Sequence, residues 1–195
     1  LWKHAIQVAV IARVLACATT AFTVNPEQAY LCGLIHDLGK YVLPYNQLNN
    51  PNGNAGILNC TSTTAGQYIH AEKDASGFNH AILGMLICKK WKLPEILCNV
   101  VRHHHQEELP KSIENDVKCA NLIRITQLAD MVSVYFTLHS EVLNFELEQI
   151  EECLQENCVD QFPGKPPVSA NELAALIAPM WLEANMAIKN LKASA

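Results

Sequence analysis

The stretch from residue 117 to residue 138 constrains the fold more than any other part of the sequence. Its apolar residues recur at helical spacing, at Leu122, Ile123, Ile125, Leu128, Met131, Val132 and Val134. This pattern predicts one long, largely buried α-helix. Asp130 lies among these apolar residues, where a carboxylate is costly unless it is paired or coordinated. The sequence therefore predicts a partner or a metal for Asp130.

Helical patterns continue through most of the chain. The predicted helices span residues 2–18, 26–38, 65–73, 80–91, 94 to between 102 and 105, 117–138, 145–158 and 169–191. Asn25 before Pro26 is a typical helix start, and Ser169 with Glu172 forms a capping box. We find no strand pattern and no internal repeat between these segments. The sequence therefore predicts an all-α fold.

Composition limits the class of protein and the kinds of partner. Half of the 195 residues are hydrophobic, which is enough for one domain with a sizeable core. A formal net charge of −5 favours neither nucleic acid nor an anionic membrane as a partner. The eight cysteines form no Cys-x-x-Cys motif, which favours a reduced, cytoplasmic chain. The absence of an initiator methionine leads us to expect a fragment.

A polar segment interrupts the helical patterns at residues 46–64. It is rich in Asn, Gly, Ser and Thr, as in the run from Asn49 to Asn54, and has no helical period. Such composition predicts a loop. An inert surface insertion is the favoured interpretation, and a flap over a nearby site is the alternative.

The segment from Gly33 to Lys40 is a candidate metal-binding motif at the end of a predicted helix. His36 and Asp37 offer a nitrogen and an oxygen ligand on adjacent residues, with Gly39 as the expected C-cap. Adjacent helical residues point about 100° apart, so this pair cannot form a metal site alone. Lys40 follows His36 by four residues, which predicts that it lies on the histidine's face near a bound phosphate.

Other parts of the chain supply further candidate ligands near predicted helix ends or inward faces. They are His4, His80, the run from His103 to His105, and Asp130. Imidazole and carboxylate ligands together suit Fe, Mn, Ni, Zn or Co better than Ca or Mg, which prefer oxygen ligands. The sequence therefore predicts a divalent transition-metal site, with one or two ions.

The order of these residues resembles the HD superfamily of metal-dependent phosphohydrolases, and the surrounding motifs resemble its HDOD branch. The matching motifs are Leu1-Trp2-Lys3-His4, Gly33-Leu34-Ile35-His36-Asp37-Leu38-Gly39-Lys40, the spaced residues Glu72, Gly77, His80 and Gly84, and Trp91-x-Leu93-Pro94. They extend over residues 1 to about 135. The resemblance implies an HD-superfamily helical bundle at 1–138, followed by a C-terminal helical extension at 139–195.

The resemblance also implies the set of metal ligands. The implied ligands are His4, His36, Asp37, His80, His104, His105 and Asp130. The family's adjacent histidine pair falls on His104 and His105, although a shift of one place toward His103 is the alternative. The sister HD-GYP group, which hydrolyses cyclic di-GMP, has Glu and then Gly-Tyr-Pro after this pair. This chain has Gln106-Glu107-Glu108-Leu109-Pro110 instead, which argues against that activity.

Two functions from different classes remain after this comparison. The HDOD branch implies a bacterial signalling or regulatory module with protein partners, in which the metal site is structural or senses a ligand. The alternative is a phosphohydrolase acting on a nucleotide or another phosphorylated small molecule, with Lys40 and Asp37 as catalytic residues. In a third interpretation, the histidines are only hydrogen-bonded polar groups at helix ends. This interpretation requires that many of them occupy candidate ligand positions by chance.

Overall fold

The computed structural model describes residues 1–19, 22–42, 72–73 and 77–193, and the described residues contain helices and no strands. The α-helices are α1 (Trp2–Ala18), α2 (Pro26–Ile35), α3 (His80–Lys90), α4 (Glu95–His103), α5 (Lys111–Glu114), α6 (Val117–Leu138), α7 (Leu147–Leu154) and α8 (Ala170–Ala193). Short 3-10 helices lie at Leu38–Tyr41 and Ser140–Asn144. The predicted all-α fold is confirmed.

Helix α6 forms the centre of the hydrophobic core, as its apolar pattern predicts. Leu122, Ile125 and Leu128 on α6 are completely buried, and α6 packs against α1, α2 and α4. The helix begins after Asp116, whose side chain accepts a hydrogen bond from the backbone N–H of Cys119 at 3.1 Å. Since the cap and the apolar pattern agree, the predicted bounds of this helix are correct at both ends.

Helices α1 and α2 pack closely enough to exclude a side chain between them. A Cβ atom on Gly33 would lie 2.7 Å from the Cα atom of Ala9. The predicted cap of α2 is also present, because the Asn25 side chain accepts hydrogen bonds from the backbone N–H groups of Glu27 and Gln28. This tight contact fixes the C-terminal end of α2 relative to α1.

The predicted end of α2 is wrong by three residues. The α-helix ends at Ile35 instead of continuing to Leu38, and the chain then forms the 3-10 helix that contains Gly39 and Lys40. Gly39 is therefore not the C-cap of α2. It lies against α3, where a Cβ atom would be 1.9 Å from the His80 carbonyl oxygen. This tertiary contact, which the local pattern does not contain, determines the path of the chain.

The C-terminal helices share the core of the preceding helices. Buried side chains from α7, such as Ile150 and Leu154, belong to the same hydrophobic cluster as those of α6. The predicted continuous helix at 145–158 is wrong in detail, because α7 is followed by a π-helical turn at Gln155–Val159. The boundary between a core at 1–138 and an extension at 139–195 stays a prediction.

Helix α8 packs on the outer face of α1. Ile6 and Val10 of α1 form a small hydrophobic cluster with Ala184 and Ile188 of α8. Arg13 of α1 also forms an ion pair with Glu183 and lies over the ring of Tyr30. The helix that carries His4 is therefore held by apolar and charged contacts to the C-terminal helix.

Two sequence predictions fall largely on residues outside the described ranges. The polar loop at 46–64 lies wholly outside them, and only residues 72–73 of the predicted 65–73 helix are described, in helical conformation. Among the described helices, we find none with the length and apolar character needed to cross a membrane.

Candidate metal centre

The seven ligand candidates come from five helices and meet at one end of the bundle. His4 lies in the first turn of α1, and Asp130 lies within α6. The others lie at or just beyond helix ends: His36 and Asp37 after α2, His80 at the start of α3, and His104 and His105 after α4. Helix ends bring these side chains inward because the chain turns there and the apolar helix faces pack on one another.

The candidates form two groups of potential ligand atoms. One contains Asp37, His80, His104 and His105, and the other contains His4, His36 and Asp130. We call them group 1 and group 2. Within each group the ligand atoms lie within 4.8 Å of one another, which suits a shared ion with ligand bonds of about 2.0 to 2.2 Å after small adjustments.

Asp37 belongs to group 1, but it directs one carboxylate oxygen toward the histidines of each group. Its Oδ1 is 3.3 Å from His80 Nε2 and 3.7 Å from His104 Nε2. Its Oδ2 is 3.4 Å from His36 Nε2 and 3.7 Å from His4 Nε2. A carboxylate can bind two ions through its two oxygens. Asp37 is therefore the residue that can connect two metal sites.

Two buried histidines are held in the orientation that a metal ligand needs. The Nδ1 atom of His36 lies 2.7 Å from the Gly33 carbonyl oxygen, and that of His104 lies 2.8 Å from the Val101 carbonyl oxygen. A carbonyl oxygen only accepts hydrogen bonds, so each neutral ring carries its proton on Nδ1. In the neutral form of each ring, the lone pair of Nε2 can bind a cation. Burial lowers the pKa of His36, but Asp37 and Asp130 raise it above its ordinary value, so a cation would displace a proton there.

Glu72 has the same effect on His80 through a carboxylate. Its Oε2 atom accepts hydrogen bonds from the backbone N–H of His80 at 2.8 Å and from the ring Nδ1 at 2.7 Å. Burial raises the pKa of the Glu72 carboxyl to about 7. Glu72 is part of the motif that resembles the HDOD branch, but the sequence alone predicts no role for it. Its contact with His80 is typical of a carboxylate that orients a metal-binding histidine.

Buried polar atoms without a hydrogen-bond partner support metal binding at this site. His36 Nε2 and Asp37 Oδ1 are buried and have no hydrogen-bond partner among the described residues, which is rare for such atoms. His80 Nε2 also lies 3.3 Å from His104 Nε2, although both rings have their protons on Nδ1. Opposed lone pairs repel unless a cation lies near them. The residues present therefore fit a divalent ion with nitrogen and oxygen ligands.

Protonation states in group 1 also suit a metal ion. Burial lowers the pKa of His80 to about 2 and lowers the pKa values of His104 and His105. These imidazoles are therefore neutral at ordinary pH, which is the form that binds metal. Burial alone would raise the pKa of Asp37, but the nearby charges of His36 and Lys40 hold it well below its ordinary value. The carboxylate is consequently ionised.

Group 2 is organised around Asp130. Its Oδ1 atom lies 3.0 Å from His4 Nε2 and 3.9 Å from His36 Nε2. Burial would raise the pKa of Asp130, but its hydrogen bond with His4 and the charge of His36 lower it below the ordinary value. The predicted partner of this carboxylate within the apolar helix is thus a pair of histidines that can also hold a metal with it.

Lys40 lies at the site but pairs with a different residue from the one expected. The sequence places it on the face of His36, whereas its Nζ atom lies 2.8 Å from Asp37 Oδ2. The helix ends before this lysine, so the four-residue spacing of an α-helix does not apply. The side chains of His4, Asp130 and Lys40 are 23, 14 and 19 % exposed, respectively, so solvent reaches the site from this side.

His103 is separate from both groups. It is buried, and its Nδ1 atom lies 2.7 Å from Gln106 Oε1. Within the part of the chain that the structure describes, only His104 and His105 of the three consecutive histidines contribute to a group of candidate ligands. This geometry favours His104 and His105 as the family's histidine pair, and the one-place shift toward His103 stays an alternative for the metal measurements.

One contact in the site has no counterpart in the sequence analysis. The Ser133 hydroxyl oxygen lies 3.1 Å from His4 Nδ1. Ser133 follows Asp130 by three residues in α6, so both side chains lie on one face of that helix. This three-residue spacing is the only sign of the contact in the sequence. It indicates a contact with His4 only when the position of α1 is known.

The chain is similar to several known proteins. A model of the HDOD domain matches residues 1–107. An uncharacterized protein of Treponema pallidum (strain Nichols) is 27% identical over 164 residues, which are 80% of this chain and 30% of that protein. A protein named Ribonuclease Y from a Nitratiruptor species is 28% identical over 117 residues, 60% of this chain and 16% of that protein. The chain spans less than a third of these curated relatives.

Two crystal structures have a similar fold. One is named "Putative phosphohydrolase", from Shewanella amazonensis, with a TM-score of 0.65 and 22% identity, over 92% of this chain and 58% of the other. The second is an HDOD domain protein of unknown function from Geobacter sulfurreducens, with a TM-score of 0.63 and 22% identity, over 97% of this chain and 61% of the other. At these identities the likeness is one of fold.

Proposed function

We propose that this chain, which belongs to the HDOD domain family, is a regulatory module built around a site for two divalent transition metals. The observation that carries the proposal is the position of Asp37, whose two oxygens face different groups of histidines. Group 1 supplies three imidazoles, and group 2 supplies two imidazoles with Asp130. This mixture of donors supports Fe, Mn, Ni, Zn or Co as the metal.

Different residues of the chain would have different roles at such a site. Asp37 would help to hold a metal in either group, while Glu72 and the carbonyls of Gly33 and Val101 keep the histidine rings in position. When bound, the metals supply Lewis acidity and lower the pKa of a water ligand. Burial of group 1 excludes bulk water from that side, so access is through the more exposed group 2 side.

A second candidate function is phosphoester hydrolysis, and the position of Lys40 favours it. Its ammonium lies beside Asp37 on the exposed side of the site, where it can hold a phosphate oxygen of a substrate. Asp37 and Lys40 would then be the catalytic residues. The chemistry fits a nucleotide or another phosphorylated small molecule.

We prefer the regulatory function because the segment after His105 makes contacts that stabilise the fold. Gln106 begins this segment, and its side chain binds His103 while its carbonyl oxygen accepts a hydrogen bond from Gln127 at 2.8 Å. The Gly-Tyr-Pro motif expected for cyclic di-GMP hydrolysis is absent from the sequence here. Positioning of the reacting atoms is worth about 7 to 11 kcal/mol, so metals without a matched substrate pocket give little turnover.

In this proposal the metal site serves a signalling protein that acts through protein partners in the cytoplasm. The described cysteines are all free thiols, which supports a reducing compartment. The site would then stabilise the helical surface that partners recognise, or would respond to a phosphorylated ligand.

The two candidates are separated by measuring metal content and turnover on the same preparation. The purified chain is loaded with Mn(II) or Fe(II), and its metal is counted by elemental analysis. Hydrolysis of bis-p-nitrophenyl phosphate and of cyclic di-GMP is then followed. We expect about two ions per chain, slow or no hydrolysis of the activated ester, and no hydrolysis of cyclic di-GMP.

Two outcomes would contradict the regulatory function in different ways. Absence of bound transition metal would remove its basis. Cyclic di-GMP turnover of several per second, abolished by His36→Ala and retained in His103→Ala, would establish the enzyme instead. The second variant is a suitable control because His103 lies outside both groups.

A further inference from the structure

His4 is held in a different way from the other anchored histidines of the site. His36 and His104 each contact the carbonyl oxygen three residues earlier, in the helix that precedes them, and His80 contacts Glu72. The Nδ1 atom of His4 instead lies 3.1 Å from the hydroxyl oxygen of Ser133, which is 129 residues away in the sequence and completely buried. The orientation of this ring depends on a side chain from another helix.

Helix α6 contacts both nitrogens of the His4 ring. Asp130 Oδ1 lies 3.0 Å from Nε2, and Ser133 Oγ lies beside Nδ1. Because the two α6 residues are three positions apart, they lie on one face of the helix and hold the ring between them. His4 itself is at the first turn of α1, where its side chain is 23 % exposed. Without Ser133, the ring would lose the contact that fixes its Nδ1 side.

The chemistry of a hydroxyl fits the protonation state that a metal ligand requires. For Nε2 to give its lone pair to an ion in group 2, the ring proton must be on Nδ1. The Ser133 oxygen can accept that N–H group. Removing the hydroxyl leaves Nδ1 without this acceptor, so the ring can rotate or place its proton on Nε2.

We propose that Ser133 is a positioning residue that presents His4 Nε2 to a metal ion in group 2. The inference rests on the proposed two-metal function and extends it to a residue beyond the 1–107 segment that the family model matches. Partners of this kind typically change metal affinity about 10- to 100-fold. Ser133 acts through His4 of group 2, so the effect is confined to one of the two ions.

Thr137 provides a matched control for a purely structural role of Ser133. It lies one turn later in α6, and its hydroxyl donates a hydrogen bond to the Ser133 carbonyl oxygen at 2.7 Å. Thr137→Val therefore removes a hydroxyl and one hydrogen bond from the same part of the helix. It leaves the Ser133 hydroxyl and His4 in place.

The test compares Zn(II) binding to the wild type, Ser133→Ala and Thr137→Val by titration calorimetry and equilibrium dialysis. We expect Ser133→Ala to weaken one of two sites about 10- to 100-fold and to leave the other unchanged. We expect Thr137→Val to bind like the wild type. Equal affinities in Ser133→Ala and the wild type, or an equal loss in both variants, would overturn the positioning role alone. A wild type that takes up no metal would overturn the two-metal function itself.

A second measurement needs only the wild type, so it remains decisive if Ser133→Ala does not fold. NMR spectra of the Zn(II)-loaded, ¹⁵N-histidine-labelled chain report which nitrogen of His4 carries the proton. We expect the proton on Nδ1 and the metal shift on Nε2. A proton on Nε2 of His4 in the loaded protein would overturn the proposal.

Discussion

Gly39 packs directly on the backbone of His80, so that a Cβ atom at position 39 would lie 1.9 Å from the His80 carbonyl oxygen. This contact joins the turn that carries Asp37 and Lys40 to the helix that begins with His80. We expect Gly39→Ala to force these elements apart and to destabilise the fold by about 3 kcal/mol or more. Urea unfolding monitored by circular dichroism measures the change.

Gly84 is the natural comparison, because its added Cβ atom would meet a movable side chain. The nearest atom would be Val101 Cγ1 at 2.7 Å, with the Gly39 backbone nitrogen at 3.1 Å. Alanine also favours the helix interior by about 0.5 to 1 kcal/mol, which offsets part of the strain. Gly84→Ala should therefore cost less than Gly39→Ala. The opposite order would show that the contact at Gly39 relaxes easily.

The three consecutive histidines should differ sharply in their effects on metal content. His104→Ala removes a member of group 1, whereas His103→Ala removes a ring whose Nδ1 atom contacts Gln106. We expect His104→Ala to lose metal from group 1. We expect His103→Ala to keep the wild-type metal content and to lose about 1 kcal/mol of stability. Elemental analysis and thermal unfolding measure the two effects, and metal loss in His103→Ala would instead favour the shifted alignment.

The capping box of α8 predicts a small pH effect. Hydrogen bonds from the Ser169 N–H and hydroxyl groups lower the pKa of Glu172 below its ordinary value. A depressed pKa means that this stabilisation is present above the ordinary glutamate pKa and is lost as pH falls through the lowered value. The difference in melting temperature between the wild type and Glu172→Gln should therefore shrink on acidification. A difference that stays constant with pH would contradict this assignment.

Elements with strong local signals could be predicted from the sequence. The apolar period from residue 117 to residue 138 and the cap at Asp116 determine α6, so its bounds agree with the prediction. The end of α2 could not be predicted in this way, because Leu38 continues the apolar pattern while the contact between Gly39 and His80 ends the helix earlier. A local pattern contains no information about a neighbour that is distant in sequence.

In the candidate site, too, the sequence predicts which residues are ligand candidates but not the contacts that depend on helix packing. Residue type and order, together with the family resemblance, identified the seven ligand candidates, which the structure brings together in two groups. The placement of Asp37 between these groups depends on rotamers and on the relative positions of several helices. The contacts of Glu72 with His80 and of Ser133 with His4 likewise depend on packing. The role of the seven residues as metal ligands stays a prediction until a metal is measured.

Asp37→Ala tests the central claim most directly, because this carboxylate faces both groups of ligands. Metal per chain is measured by elemental analysis after purification without chelators, with circular dichroism as the control for folding. We predict about two transition-metal ions in the wild type, and little metal in a variant that keeps its helical spectrum. The remaining affinity should fall steeply with decreasing pH as the histidines protonate. Full metal occupancy in folded Asp37→Ala would contradict the account.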